Sequence, residues 1–277
     1  MGEMKISFSV VIPAYNCENT IERTLDSVKK QTRLDLISEV IIINDGSIDD
    51  TELIIKEYIK KNNKMEIRYI RQENKGVSYA RNKGIRMAKG TWIALLDSDD
   101  EWSLRKIEVQ YNILSNNSDI KFLGSAYPLR FLLIKKNGLY KVNPFELCIR
   151  STPMTPTVVF EKETGMKFGL FDENRKFSED IQFFQKFLLI DSYYVIVDNL
   201  VNVSIGKSYF GQKGLSSHFK EMHIGRNDNV KELYEMKLIN WWFMKLILLF
   251  NQLKYFRRCL LQKVYYIKDM RKYNEKK

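Results

Sequence analysis

Asp97, Asp99 and Asp100, with Ser98 between the first two, follow directly on the apolar run "WIALL". Carboxylates as sole ligands favour hard divalent cations such as Mg²⁺ or Mn²⁺, which keep waters and take further oxygens from a substrate's phosphates. In an Asp-x-Asp turn one carboxylate can face sugar hydroxyls while another holds the cation, and the cation neutralises a diphosphate leaving group. Capping the next segment, "SLRKIEVQYNIL", would use one or two acids. Three in four positions exceed that need and favour the metal reading. A second acidic pair, Glu179 and Asp180, opens a segment with Ile181, Phe184, Phe187 and Leu188 at helical spacing. A carboxylate there can take a hydroxyl proton, and it can equally cap a helix.

The elements that must position these acids are legible in the first hundred residues. "FSVVIPAY", "EVIIIND", "EIRYIRQ" and "TWIALLD" read as strands. Between them, "NCENTIERTLDSVKKQ" places Ile21, Leu25 and Val28 on one helical face. "GSIDDTELIIKEYIKK" does the same with Leu53, Ile54 and Tyr58 behind the cap candidates Ser47, Asp49 and Asp50, and "GVSYARNKGIRMAKG" forms a third helix closed by Gly90. Alternating strands and helices imply an α/β fold with right-handed crossovers and a mostly parallel sheet covered on both faces. Ligands then bind beyond the carboxyl ends of the strands. Pro13, Ala14 and Tyr15, then Asn44 to Ser47, then Asp97 to Asp100 share that rim.

Other ligand motifs fail. The first strand lacks G-x-G-x-x-G, the only "GKS" has Val201 where a P-loop needs glycine, and no G-x-S-x-G occurs. Cys17, Cys148 and Cys259 form no C-x-x-C pair, so a reducing compartment is expected. The N-terminus is too weakly apolar for a signal peptide. His218 and His223 lack a third soft ligand and read as surface residues. Net charge is +11, of which +9 falls in residues 237–277.

The motifs "VVIPAYN", "VIIINDGSIDDT", "NKGVSYARNKGIRMAKGTWIALLDSDD" and "FSED", in that order over about residues 7–220, resemble the family 2 glycosyltransferases, inverting enzymes of the GT-A fold. The resemblance implies that Pro13, Ala14 and Tyr15 line the base and ribose of a nucleotide, most often uridine, and that Asp45 accepts a hydrogen bond from the base. Arg81 would organise nucleotide and acidic loop, Asp97 and Ser98 would reach ribose or donor sugar, and Asp99 would bind Mn²⁺ or Mg²⁺. Asp180 would be the catalytic base, with Glu179 and Asp100 as acceptor-binding or supporting residues. Inversion needs such a base opposite the departing nucleoside diphosphate. "LLIKKNGLYKV" carries an Asn-Gly hairpin signal and "STPMTPTVVFEKE" a loop into a strand; together they would form the acceptor side. In "FGQKGLSSHF", Lys213, Ser216, Ser217 or His218 would reach the diphosphate.

The implied organisation is a catalytic domain over 1–220, its nucleotide part at about 1–115 and its acceptor part at about 116–220, followed by a basic helical region over 221–277. That region is too short in its apolar run, and too broken by Lys245, to span a membrane. Trp241, Trp242 and Phe243 opposite a basic face suit either an anionic membrane surface or a helix pair packed on the domain or on a second subunit. The expected activity moves a sugar, most simply a hexose, from a UDP-sugar to a glycan or lipid-linked acceptor of lipopolysaccharide, lipooligosaccharide or capsule. The chain would be cytoplasmic, at the inner face of the cytoplasmic membrane, with a homo-oligomer open. A nucleotidyltransferase would want a basic Gly-rich loop early in the chain, and a nucleic-acid binder a recognition motif beside its charge; neither is present.

Overall fold

The computed structural model describes residues 5–125, 138–149, 153–202 and 218–274, with side chains of the last helix described as far as Leu261. The expected alternation is present: β1 (Phe8–Ala14), α1 (Ile21–Lys29), β2 (Ile37–Asp45), α2 (Thr51–Lys61), β3 (Ile67–Gln72), α3 (Val77–Met87) and β4 (Trp92–Leu95). A short strand β5 (Glu101–Trp102), α4 (Lys106–Asn116), β6 (Phe122–Ser125), β7 (Leu139–Lys141), α5 (Pro144–Ile149), β8 (Val159–Glu161) and α6 (Lys162–Lys167) follow. Then come α7 (Glu179–Phe184), β9 (Tyr193–Ile196) and β10 (Val201–Asn202), and two helices, α8 (Phe219–Glu235) and α9 (Trp241–Asn274), make the C-terminal part.

The main sheet has the order β3-β2-β1-β4-β8-β6-β9-β7. Its first four strands are mutually parallel, and β8 and β7 are antiparallel to their neighbours. All seven residues of β1 are buried, as is usual where helices cover both faces of a parallel sheet. The chain steps outward from β1 to β3 and then returns to lay β4 on the other side of β1. A crevice opens at such a reversal, beyond the strand ends. β4 pairs only with Phe8–Val11, so beyond Val11 the strand has β2 on one side alone, and Pro13 sits where no second ladder asks for its N–H.

Two expectations need correcting. The buried face of α2 is Thr51, Ile55 and Tyr58, whereas Leu53 is exposed and Ile54 half-buried. The helix starts at Thr51, and spacing of four and three from that residue selects Ile55 rather than Leu53. The capping alternative for the acidic cluster also falls away: α4 is capped at Arg105 with no side-chain bond, and β5 separates it from Asp100. The Asn-Gly hairpin is described only from Gly138 onward, where β7 pairs with β9; its first arm lies outside the described residues, as do Ser151 and Thr152. The chain forms two compact units, Met1–Lys207 and Ser208–Lys277.

Candidate functional site

Three loops meet at the carboxyl ends of β1, β2 and β4. The first two are stitched together: Ser47 Oγ accepts from the Asn16 amide at 3.0 Å, Asn16 Oδ1 accepts from the Ile48 amide at 3.0 Å, and Thr51 Oγ1 accepts from the Cys17 amide at 2.8 Å. Asn16 takes a positive φ of 47° to make this corner, a conformation asparagine tolerates better than most residues. Tyr15, just before it, is 51% exposed on the rim, while Pro13 and Ala14 are buried in the sheet.

Asp45 ends β2 and is buried. Its carboxylate accepts from Gln72 Nε2 at 2.7 Å, from the Lys75 amide at 2.9 Å and from the Gly76 amide at 2.8 Å. It therefore fixes the start of α3, where Gly76 has a φ of 90°. A carboxylate has about four acceptor positions, so three internal donors leave capacity for one more.

The acidic loop is built differently, through its backbone. Thr20 Oγ1 donates to the Ser98 carbonyl at 2.8 Å, and Thr24 Oγ1 lies 3.1 Å from the Ser98 carbonyl and 2.9 Å from that of Asp100. Arg23 donates to the Asp99 carbonyl at 3.2 Å, and Ser27 Oγ accepts from the Trp102 amide at 3.0 Å. Thr20, Thr24 and Ser27 stand four and three residues apart on one face at the start of α1. That spacing of small hydroxyls was the sequence signal for these residues, and reading the strand ends alone misses it. Asp97, Ser98 and Asp99 are half-buried, and Asp100 is buried.

α3 joins this loop to the second acidic pair. Gly84 lets the helix lie close on β1, since a Cβ there would stand 2.6 Å from Val11 Cγ1. One turn earlier Arg81, 5% exposed, donates from one terminal nitrogen to Asp97 Oδ1 at 2.8 Å and from the other to Glu179 Oε1 at 3.0 Å. Burial opposes the Arg81 charge, but Asp97 and Glu179 more than offset it and hold the guanidinium firmly protonated. The neighbouring Asn82, also missed in the sequence, donates to the Phe171 carbonyl and to Glu173 Oε1, both at 2.8 Å, and accepts from the Phe171 amide at 3.0 Å.

Glu179 and Asp180 begin α7, which docks through phenylalanines. Phe183 meets Phe160 edge-on with centroids 5.2 Å apart, and Phe184 and Phe187 each lie 5.1 Å from Phe122. Phe183 belongs to the inner face in place of Ile181: Phe183 with Phe187 and Phe184 with Leu188 are four residues apart, which puts all four on one side. Ser178 precedes the pair with φ 57°, a left-handed conformation that costs energy for a residue with a Cβ.

Burial pushes the Glu179 carboxyl up, Asp180 adds to that, and Arg81 opposes it. Burial also raises Asp180, against the pull of the Ile181 amide and of Arg81, and the negative charge of Asp97 pushes the same way as burial. Asp180 Oδ1 accepts from the Ile181 amide at 2.7 Å. Tyr193 is fully buried on β9, its hydroxyl has no partner among the described residues, and burial followed by the charge of Asp180 keeps it protonated. The acidic loop and the acidic pair thus share one electrostatic environment, centred on Arg81.

Among the described residues no group of three or more His, Cys, Asp or Glu is gathered as a metal centre. A hard cation that binds through one or two carboxylates and completes its shell with waters and substrate phosphate fits such a donor set. Lys213, Ser216 and Ser217 lie outside the described residues. His223 stacks on Tyr255 in the C-terminal unit.

The profile of the family described as "Glycosyl transferase family 2" matches residues 9–138. An uncharacterized glycosyltransferase of Rickettsia prowazekii (strain Madrid E) is 33% identical over 205 residues, which is 67% of this chain and 60% of that protein's length. TarS 1–349 of S. aureus, solved in complex with UDP-GlcNAc, superimposes with a TM-score of 0.64 at 19% identity, covering 88% of this chain and 70% of its own. The mannosyltransferase PcManGT of Pyrobaculum calidifontis, solved with GDP-Man and Mn²⁺, gives 0.66 at 16% identity, covering 84% and 65%. These likenesses establish the GT-A fold: a mostly parallel central sheet with flanking helices, here with a helical C-terminal part.

Proposed function

The chain belongs to glycosyl transferase family 2, and from that membership we propose that it is a metal-dependent, inverting glycosyltransferase. Its donor is a UDP-sugar, most simply a UDP-hexose. Its acceptor is a hydroxyl of a growing bacterial surface glycan, as in lipopolysaccharide, lipooligosaccharide or capsule, carried on a lipid at the inner face of the cytoplasmic membrane. The observation that carries the reading is Arg81, bonded to Asp97 of the acidic loop and to Glu179 of the acidic pair. One side chain thereby ties a donor site to a base.

In this mechanism Tyr15 and the spare acceptor capacity of Asp45 receive base and ribose, with the buried Pro13 and Ala14 forming the strand end beneath them. Asp97 and Ser98 meet ribose or donor sugar. Asp99 would hold the Mn²⁺ or Mg²⁺, which when bound neutralises the diphosphate as it leaves. Asp180 takes the proton of the acceptor hydroxyl as that oxygen attacks the anomeric carbon from the face opposite the diphosphate. The bond from oxygen to carbon forms, the bond from carbon to diphosphate breaks, and configuration inverts. A carboxyl held above its usual range is a better proton acceptor at the moment of attack than an ordinary aspartate. Glu179 and Asp100 support the loop and the acceptor. The GT-A neighbour solved with UDP-GlcNAc supports the donor, and the one solved with Mn²⁺ supports the metal.

The test is incubation with individual UDP-sugars and Mn²⁺, reading released UDP. Release that stops on chelation and on Asp180→Asn supports the reading. An Asp180→Asn protein with full transfer activity removes Asp180 from the role of base.

A further inference from the structure

The C-terminal unit contains a cavity that sugar transfer does not use. α8 and α9 enclose a groove of about 370 Å³, within the size range of small-ligand sites. Arg226, Lys254, Arg257 and Arg258 line it together with His223 and Tyr255, and among the described residues its lining includes no carboxylate. Two of the cations lie over rings: Lys254 is 4.1 Å from the centre of Phe250, and Arg258 is 5.1 Å from that of Phe219. His223 stacks on Tyr255 with centroids 4.6 Å apart. Burial and the nearby charge of Arg226 lower Lys254 from its ordinary range.

A second observation lies on the same helix. Trp242, Leu246, Leu249, Leu253, Phe256 and Leu260 are between 56% and 77% exposed. Steps of four and three residues place them on one stripe. The opposite side of α9 carries the buried Met244, Ile247 and Asn251, and Asn251 bonds to Asn227 of α8 at 3.1 Å. From Lys237 to Lys268 the sequence contains neither Asp nor Glu. A stripe so regular could receive the same helix of a second copy. Its flanks, however, are Lys245, Lys254 and Arg257, so two copies would bring cation against cation. An anionic bilayer offers the opposite charge beside an apolar interior.

We propose that the α8–α9 groove receives a phospholipid phosphate headgroup while the α9 stripe enters the acyl boundary, so that this unit docks on an anionic membrane surface. The proposal deepens the membrane-borne acceptor of the functional reading and rests on it only for that location. Docking needs no turnover.

The test floats the full chain with vesicles of phosphatidylcholine alone and with vesicles of equal parts phosphatidylcholine and phosphatidylglycerol. Binding to the anionic vesicles and not to the neutral ones is expected. Arg257→Ala with Arg258→Ala should lower partitioning roughly 25-fold, from about fivefold per basic residue. Leu249→Gln with Phe256→Gln should reduce it further, and circular dichroism should report unchanged helix content in both variants. Failure of the wild-type chain to bind anionic vesicles, or binding indifferent to both pairs of substitutions, overturns the proposal. So does a wild-type dimer that Leu249→Gln converts to monomers, which would assign the stripe to a second copy. Vesicle binding without UDP-sugar turnover would instead count against the transferase reading and leave the docking surface standing.

Discussion

The two acidic clusters of the N-terminal unit are alike in sequence and opposite in construction. Asp97 to Asp100 is held by its carbonyls, which accept from Thr20, Arg23 and Thr24, while Asp97, Ser98 and Asp99 stay half-buried. Glu179 and Asp180 are held through a phenylalanine core and Arg81, and burial raises both carboxyls. A loop fixed by its backbone keeps its side chains available to turn towards a cation. A pair whose carboxyls burial raises suits proton transfer. Environment, not residue type, would separate the two proposed roles.

That contrast can be broken at several points. Asp180→Asn should lower kcat about 10²- to 10⁴-fold, the range for loss of a general base, with UDP affinity unchanged; transfer kinetics beside calorimetry will read this. Arg81→Met strips the shared cation from Asp97 and Glu179 and should cost about 3–5 kcal/mol in urea unfolding, as expected when one partner of a buried ion pair is removed. Asp99→Ala should leave folding intact and loosen Mn²⁺-dependent UDP binding by at least about tenfold, or ~1.4 kcal/mol.

The pH dependence sharpens the same contrast. Above the ordinary aspartate value of 3.8, the folded chain holds proton at Asp180 that the unfolded chain has lost. Stability therefore falls as pH rises through the raised value, while transfer activity rises as the base ionises. Denaturation and kcat measured across the acid range should move in opposite directions, and Asp180→Asn should flatten the activity limb. The smallest effect belongs to Thr24→Val, which removes the single hydroxyl proton that the Ser98 and Asp100 carbonyls share, at about 1 kcal/mol.

The first four strands and three helices were legible because each is a local pattern of strand or helix period, bounded by turn residues. The rim at Asp45 and Asp97 followed from the rule that sites lie at strand ends. Arg81 and Asp97 are 16 residues apart, within one helix-to-strand step, whereas Arg81 and Glu179 are 98 apart. No periodicity reports that contact; only the family resemblance brought the two segments together. Leu53 was misplaced and Phe183 missed for the same reason, that apolar character alone does not fix helix phase. Asn82 and the Thr20, Thr24, Ser27 face act through backbone carbonyls and amides, which side-chain chemistry read along a sequence does not display.

The most direct measurement is calorimetric titration of the purified chain with UDP, with Mn²⁺ present and with the metal removed by chelator. The account predicts saturable binding with Mn²⁺ that weakens on chelation in the wild-type chain and becomes insensitive to metal in Asp99→Ala. Equal affinity with and without metal would contradict the acidic loop as a cation site, and silence under both conditions would contradict the UDP-sugar donor itself.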